Sequence, residues 1–250
     1  MTKTFFHIAI VLLFFSCSKN QDAATTSNPC NNIVQVLAYN AVTDSYDPDV
    51  DIVYDDQQRI KNTKKKGLSQ AIYTYYSDSI RLEATDIFGN DISVTYYLDT
   101  KNRITKTNFF DYEYTYNDDG YLISFKEPLT SNGHVTGSIQ YYLTYENNNL
   151  QELYTNDVST DLRQVTMEYY PEPNQILIGY NSPLYLSTVI PDRNSFFLIQ
   201  AGFYGKESEN LIKHIDFHDG YSAADKTYKK DAQGRIIQIP EHYAFNYQCP

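Results

Sequence analysis

The chain has no tryptophan, and glycine and proline are scarce, at 10 and 9 of 250 residues. With so few flexible and breaking residues, and aromatics in plenty, a disordered chain is disfavoured. Basic residues are in deficit: Lys+Arg number 20 against 31 Asp+Glu, for a formal net charge of -11. That sign argues against a nucleic-acid partner, whose phosphates need a basic face. Long hydrophobic runs are missing as well. Phe5 to Phe15 holds 11 residues and is broken by His7, which is too short for a helix to cross a hydrocarbon core of ~30 Å. A hydrophobic content of 42% and a mean hydropathy of -0.50 fit a polar, foldable chain and not a multi-span membrane protein.

In excess is tyrosine, 25 residues, beside 13 phenylalanines. Tyrosine packs well on a pleated, half-buried surface, so the composition favours sheet. Length leaves room for one large domain or two small ones. The patterning below places a single β domain over residues 30–250.

The N-terminus reads as an address. Lys3 supplies a positive n-region, Phe5 to Phe15 an h-region, and Ser16-Cys17 closes the run. A small residue before a cysteine at this place looks like a lipobox, in which Cys17 is acylated and residues 1–16 are the signal peptide. No Ala-x-Ala-like site stands directly after the h-region, which disfavours an ordinary secretory signal. Residues 17–29 are then a lipidated polar tether, too small and polar to bury a core. The chain is expected in the cell envelope as an outer-membrane-anchored lipoprotein, on the periplasmic face or the cell surface.

Of the 3 cysteines, Cys30 and Cys249 remain once Cys17 carries lipid. One follows the tether and the other is next to last. In an oxidising compartment they are expected to form a disulfide that clasps the chain ends, the alternative being two free thiols. For so long a loop the chain-entropy model gives about 5 kcal/mol.

Six places share one pattern: an aromatic, a short polar turn, then often Arg and an aliphatic. They begin at Tyr54, Tyr97, Tyr116, Tyr145, Phe217 and Tyr228. Asp or Asn opens such a turn by bonding its own backbone, and Gly120, Gly234, Asn102 or Asn149 is placed to take the left-handed conformation near its end. Between turns the alternation is that of strands. Tyr112, Tyr114 and Tyr116 share a face, as do Ile139, Tyr141, Leu143 and Tyr145. The fold class predicted is all-β: an antiparallel meander sheet or a soluble barrel built from hairpins. Helix signal is confined to one short segment near 183–190, where Ser182 caps, Pro183 suits the first position and Pro191 stops.

These turns resemble the YD repeats of RHS-type β-meander proteins. The whole plan resembles a Bacteroidota lipoprotein family of unknown function with a porin-like fold. The shared features are the lipobox, the polar tether, the repeated turns and Asn181-Ser182-Pro183-Leu184. The resemblance covers residues 30–250 and implies a fold, with no catalytic residues to carry over.

Catalytic signatures are absent: no G-x-S-x-G, no phosphate loop and no dinucleotide fingerprint, so no cofactor is expected. His214, Asp216 and His218 would share one face of a strand, and two His with a carboxylate are a zinc donor set. Residues i and i+4 of a strand lie about 13 Å apart, so these metal candidates read better as a wet polar face. Asp44, Asp47, Asp49 and Asp51 begin like a calcium loop, but Ile52 and Gln58 stand where the loop needs Gly and Glu. Lys64-Lys65-Lys66 reads as an edge-protecting hairpin tip. The tyrosine stripes fit cross-strand packing or a stacking platform for sugars. A membrane-spanning barrel is disfavoured by polar residues on both faces. The expected function is a non-catalytic envelope lipoprotein binding a protein or polysaccharide through its β-surface. The alternatives are a glycan hydrolase using two acidic residues, or a purely structural lipoprotein.

Overall fold

The computed structural model describes residues 32–67, 70–85, 89–109, 111–131, 134–155, 157, 164–174, 196–218 and 223–248. Its strands are β1 (Asn32–Asn40), β2 (Ser45–Tyr54), β3 (Ile60–Lys65), β4 (Gln70–Tyr75), β5 (Ser79–Thr85) and β6 (Asp91–Leu98). Then come β7 (Ile104–Thr107), β8 (Glu113–Tyr116), β9 (Leu122–Ser131), β10 (His134–Glu146), β11 (Asn149–Thr155) and β12 (Gln164–Pro173). A short helix, α1 (Phe196–Gln200), precedes β13 (Asn210–Asp216), β14 (Ala223–Asp225), β15 (Lys229–Lys230), β16 (Ile236–Ile239) and β17 (Tyr243–Gln248).

All 17 strands among the described residues belong to one sheet. Each strand from β1 to β13 pairs antiparallel with the next in chain order, and β15, β16 and β17 lead back to β1. Because β17 runs antiparallel to β1, β14 and β15 point the same way. Residues 223–230 are one extended stretch that pairs first with β13 and then with β16. The ladder lapses between them, so of the two architectures left open by the sequence the meander sheet is the one found, not a closed barrel.

Period-two patterning sets which side chains go in. Val50 and Ile52, Ile80 and Leu82, Val94 and Tyr96, and Ile139, Tyr141 and Leu143 are buried, and residues between them are exposed or half-buried. Side chains from β1 through β17 meet in one core cluster with α1. At roughly 25 cal/mol per Å² of apolar surface, this burial is the main stabilising term.

The helix expected near 183–190 falls outside the described residues. Among the described residues the helix is α1, at Phe196–Gln200. Phe197, Leu198 and Ile199 are all buried, so no polar face marked it in the sequence. Gly202, at φ 78, ends it. The Gly202 and Phe203 N–H groups donate to Ile199 and Leu198 carbonyls at 2.8 and 3.0 Å, the reciprocal pair of a Schellman motif. The chain then crosses the end of the sheet. Ile104 N–H donates to Phe203 O at 2.7 Å, Lys206 N–H to Gly120 O at 2.9 Å, and Leu150 N–H to Ser208 Oγ at 3.1 Å.

The disulfide between Cys30 and Cys249 is withdrawn. No disulfide bond is present among the described residues, and Cys17, Cys30 and Cys249 lie outside them. The first and last described strands pair, with Asn32 opposite Gln248 and Val36 opposite Phe245.

Candidate functional site

The repeated turns consume their own polar groups. Asp99 Oδ1 accepts the N–H groups of Lys101 and Arg103 at 2.8 and 2.9 Å, and Oδ2 accepts Arg103 Nε at 2.8 Å. The Arg103 guanidinium lies 4.4 Å from the ring centroid of Tyr116, whose hydroxyl donates to Ile104 O at 2.7 Å. The same construction recurs at Asp55, Arg59, Tyr75 and Ile60, and at Asp231, Arg235, Tyr247 and Ile236. Burial alone would raise each aspartate, but the arginine's backbone N–H and side chain outweigh it and hold Asp55, Asp99 and Asp231 below the usual carboxylate value. Left-handed backbone falls at Gln58, Asn102, Gly120 and Gly234. In the turn after β10 it falls on Asn147 and Asn148, not on Asn149 as the sequence predicted. Tyrosine hydroxyls close three further junctions without an arginine: Tyr54 to Ile33 O, Tyr169 to Leu150 O and Tyr228 to Ile212 O. These are staples of the fold and leave nothing free for a ligand. Of the six predicted turns, the one after Phe217 runs into residues 219–222, outside the described residues.

The other candidates from sequence are dispersed. His214 Nδ1 meets Asp225 at 2.7 Å, whereas His218 lies beyond β13 at φ 45 and meets the Thr166 hydroxyl at 2.8 Å. Asp216 accepts the His218 N–H at 2.8 Å. Asp44 is bound by the Tyr39 hydroxyl, Asp47 by Asn40, Asp49 by Lys65 and Asp51 by Gln35. Among the described residues no three His, Cys, Asp or Glu side chains come together as a metal site. Lys64 and Lys65 end β3, and Lys66 opens the turn after it.

Glu127 of β9 went unnoticed in the sequence. It follows Phe125 by two residues, so it shares the inward face. Burial raises its carboxyl above the usual value, and hydrogen bonds from Tyr141 and Tyr112 pull the other way. The Tyr112 hydroxyl stands 3.5 Å from Glu127 Oε1. An alternation count alone would have placed this carboxylate inside.

The outward face of β9 to β12 carries the clearest arrangement for a ligand. Tyr142 stands opposite Ser124 on one side and Tyr154 on the other, and Tyr154 stands opposite Gln164. The two tyrosine rings are 5.5 Å apart with planes 29° from parallel, and Tyr142 is 38% exposed. Gln164 Nε2 donates to Glu152 Oε1 beside them at 2.5 Å. Farther up β9 and β10, beyond Ile139, the two strands extend past their neighbours as a hairpin whose β10 residues 134–138 are exposed. An open trough of about 460 Å³ lies at its base, lined in part by Lys106, Asp111, Glu113, Lys126, Pro128 and Val135. A smaller one of about 390 Å³, at Asn32, Asp55 and Gln248, marks where the two chain ends enter the sheet.

No protein-family model matches the chain, and no curated protein matches it. Solved structures do. A porin-like protein from Bacteroides uniformis shares 16% identity at a TM-score of 0.57, over 89% of this chain and 98% of that one. A porin-like protein from Bacteroides vulgatus shares 13% identity at a TM-score of 0.58, over 86% of this chain and 98% of that one. The likeness spans nearly the whole of both relatives, and at this identity it is one of fold: the chain adopts a porin-like β-meander.

Proposed function

We propose that the protein is a non-catalytic lipoprotein of the cell envelope, held to the outer membrane through Cys17, whose outward sheet face binds a polysaccharide. The observation that carries this is the outward Tyr142–Tyr154 pair, in which Tyr142 is exposed and Tyr154 half-buried. Aromatic faces suit the apolar faces of sugars, and the tyrosine hydroxyls and the amide oxygens of Gln140 and Gln164, whose nitrogens donate within the protein, suit sugar hydroxyls. Most tyrosines of the chain are spent on the core or on backbone staples, which makes a stacked outward pair the exception. The anchor rests on the Ser16-Cys17 junction after the apolar run.

Two measurements test this. On a glycan array the full chain, in detergent, is expected to bind at least one polysaccharide, with affinity falling about tenfold in Tyr142→Ala, as for a lost aromatic stack. No binding to any glycan defeats the reading. Cys17→Ala is expected to leave the membrane fraction; continued membrane association would refute the anchor. The competing hydrolase would use Glu127 as acid and would need a second carboxylate about 5–9 Å away. Glu127's hydrogen-bond partners are tyrosines, which favours the binding reading. Turnover of a glycan that disappears in Glu127→Gln would overturn it.

A further inference from the structure

We infer that the trough at the base of the β9–β10 hairpin is a second subsite of the same surface, and that the polysaccharide it takes is uncharged. This rests on the polysaccharide reading above. Its volume of about 460 Å³ lies within the roughly 300–1,000 Å³ of small-molecule sites. Its Lys126 and Ser138 lie on the same outward face as the tyrosine pair. Ser124 and Lys126 are two apart on β9 and so share its outward side, Ser124 opposite Tyr142 and Lys126 opposite Gln140. Ser138 on the trough wall precedes Tyr142 by four residues of β10, which is about 13 Å along a strand. A single sugar on the tyrosines does not reach the trough, whereas a chain of several sugars covers both.

The lining selects the ligand. Lys106 and Lys126 donate, Asp111 and Glu113 accept, and Lys126 lies 3.6 Å from Glu113. Sugar hydroxyls can use donors and acceptors alike. Two charges of each sign leave no local surplus to attract an acidic polymer, and the chain as a whole carries -11, which repels one. Pro128 and Val135, the latter 50% exposed, add apolar surface for a ring face. An uncharged, hydroxyl-rich chain fits all three features.

The test uses the full chain with disaccharides and hexasaccharides of the gluco, manno and xylo series, and with oligogalacturonate as the acidic counterpart. Lys106→Met/Glu113→Gln removes one charge of each sign at exposed positions and preserves the balance. A hexasaccharide is expected to bind about tenfold more tightly than its disaccharide, and the double variant is expected to abolish that advantage without changing disaccharide affinity. Tyr142→Ala should weaken both lengths. Affinity should be insensitive to salt, as expected where no net charge is engaged. If length gives no advantage, or the double variant binds the hexasaccharide like the parent, the second subsite is refuted while the polysaccharide reading stands. If oligogalacturonate binds best and salt weakens it, the uncharged ligand is refuted. If no oligosaccharide of any length binds, the polysaccharide reading falls and this inference with it.

Discussion

At Asp99 one carboxylate organises three residues: it satisfies the backbone donors of Lys101 and Arg103, orients the Arg103 side chain, and through that guanidinium holds the Tyr116 ring. Asp99→Ala is expected to destabilise by about 2–3 kcal/mol in denaturant titration, because it orphans those donors and releases a charge pair that is only 15% and 21% exposed. Asp99→Asn keeps the two backbone bonds and loses the ion pair, so about 1 kcal/mol is expected. The three repeats also set a pH response. Asp55, Asp99 and Asp231 each have a folded pKa below the ordinary 3.8. Their contribution is therefore present in full above that value and is lost as pH falls through the lower folded values. Thermal melts should hold level down to pH 4 and then decline, with Asp99→Asn declining less. At the alkaline end the sign reverses. Burial pushes Tyr247 up to about 12, so its contribution is whole below pH 10 and disappears as pH rises through about 12. The Tyr-Asp turns were legible because local spacing encodes them. The hydroxyl staples were not, since Tyr116 reaches back 12 residues and Tyr169 reaches back 19, across a strand pairing that spacing alone does not reveal.

Among the elements, the stretch from α1 to β13 shows what periodicity misses. A strand buried on one face advertises itself by alternation, but Phe197, Leu198 and Ile199 are covered on every side and give no period. The Gly202 and Gly205 positions were the available signal, and they differ in kind. Gly202 needs only a left-handed backbone, φ 78, with open space around a would-be Cβ. Gly205, φ 85, has the Gly120 carbonyl oxygen 2.5 Å and the Tyr116 ring 2.9 Å from that position. Gly202→Ala is expected to lower stability by about 1 kcal/mol through strain alone. Gly205→Ala should lower it by about 3 kcal/mol or more, because a backbone atom must move. Equal effects in chemical denaturation would mean that the crossing segment is looser than its packing implies. The outward tyrosine pair was half legible. Alternation puts Tyr142 and Tyr154 outside, but only the register of β10 against β11 makes them neighbours.

For the whole molecule, the pairing of first and last strands matters most. β1 has β2 on one side and β17 on the other, so the N-terminal strand is central and not an edge. Deleting residues 243–250 removes the partner of both β1 and β16 and the buried Phe245. That truncation is expected to abolish cooperative unfolding, where removing a true edge strand would merely shift the midpoint. The connections also alternate between the two ends of the sheet. Asn32 enters beside the turn that carries Asp55 and Gln58, and the β9–β10 hairpin projects from the opposite end. A chain tethered at its N-terminus would therefore hold that hairpin and its trough away from the bilayer. Synthesis runs in the other sense of time. Of the two strands that flank β1, β2 is made at once and β17 last of all the described strands. Until then one flank of β1 is a bare row of amide groups, open to any passing strand. A product cut short before β17 leaves that flank unpaired, which makes the last strand of the sheet a condition for covering its first.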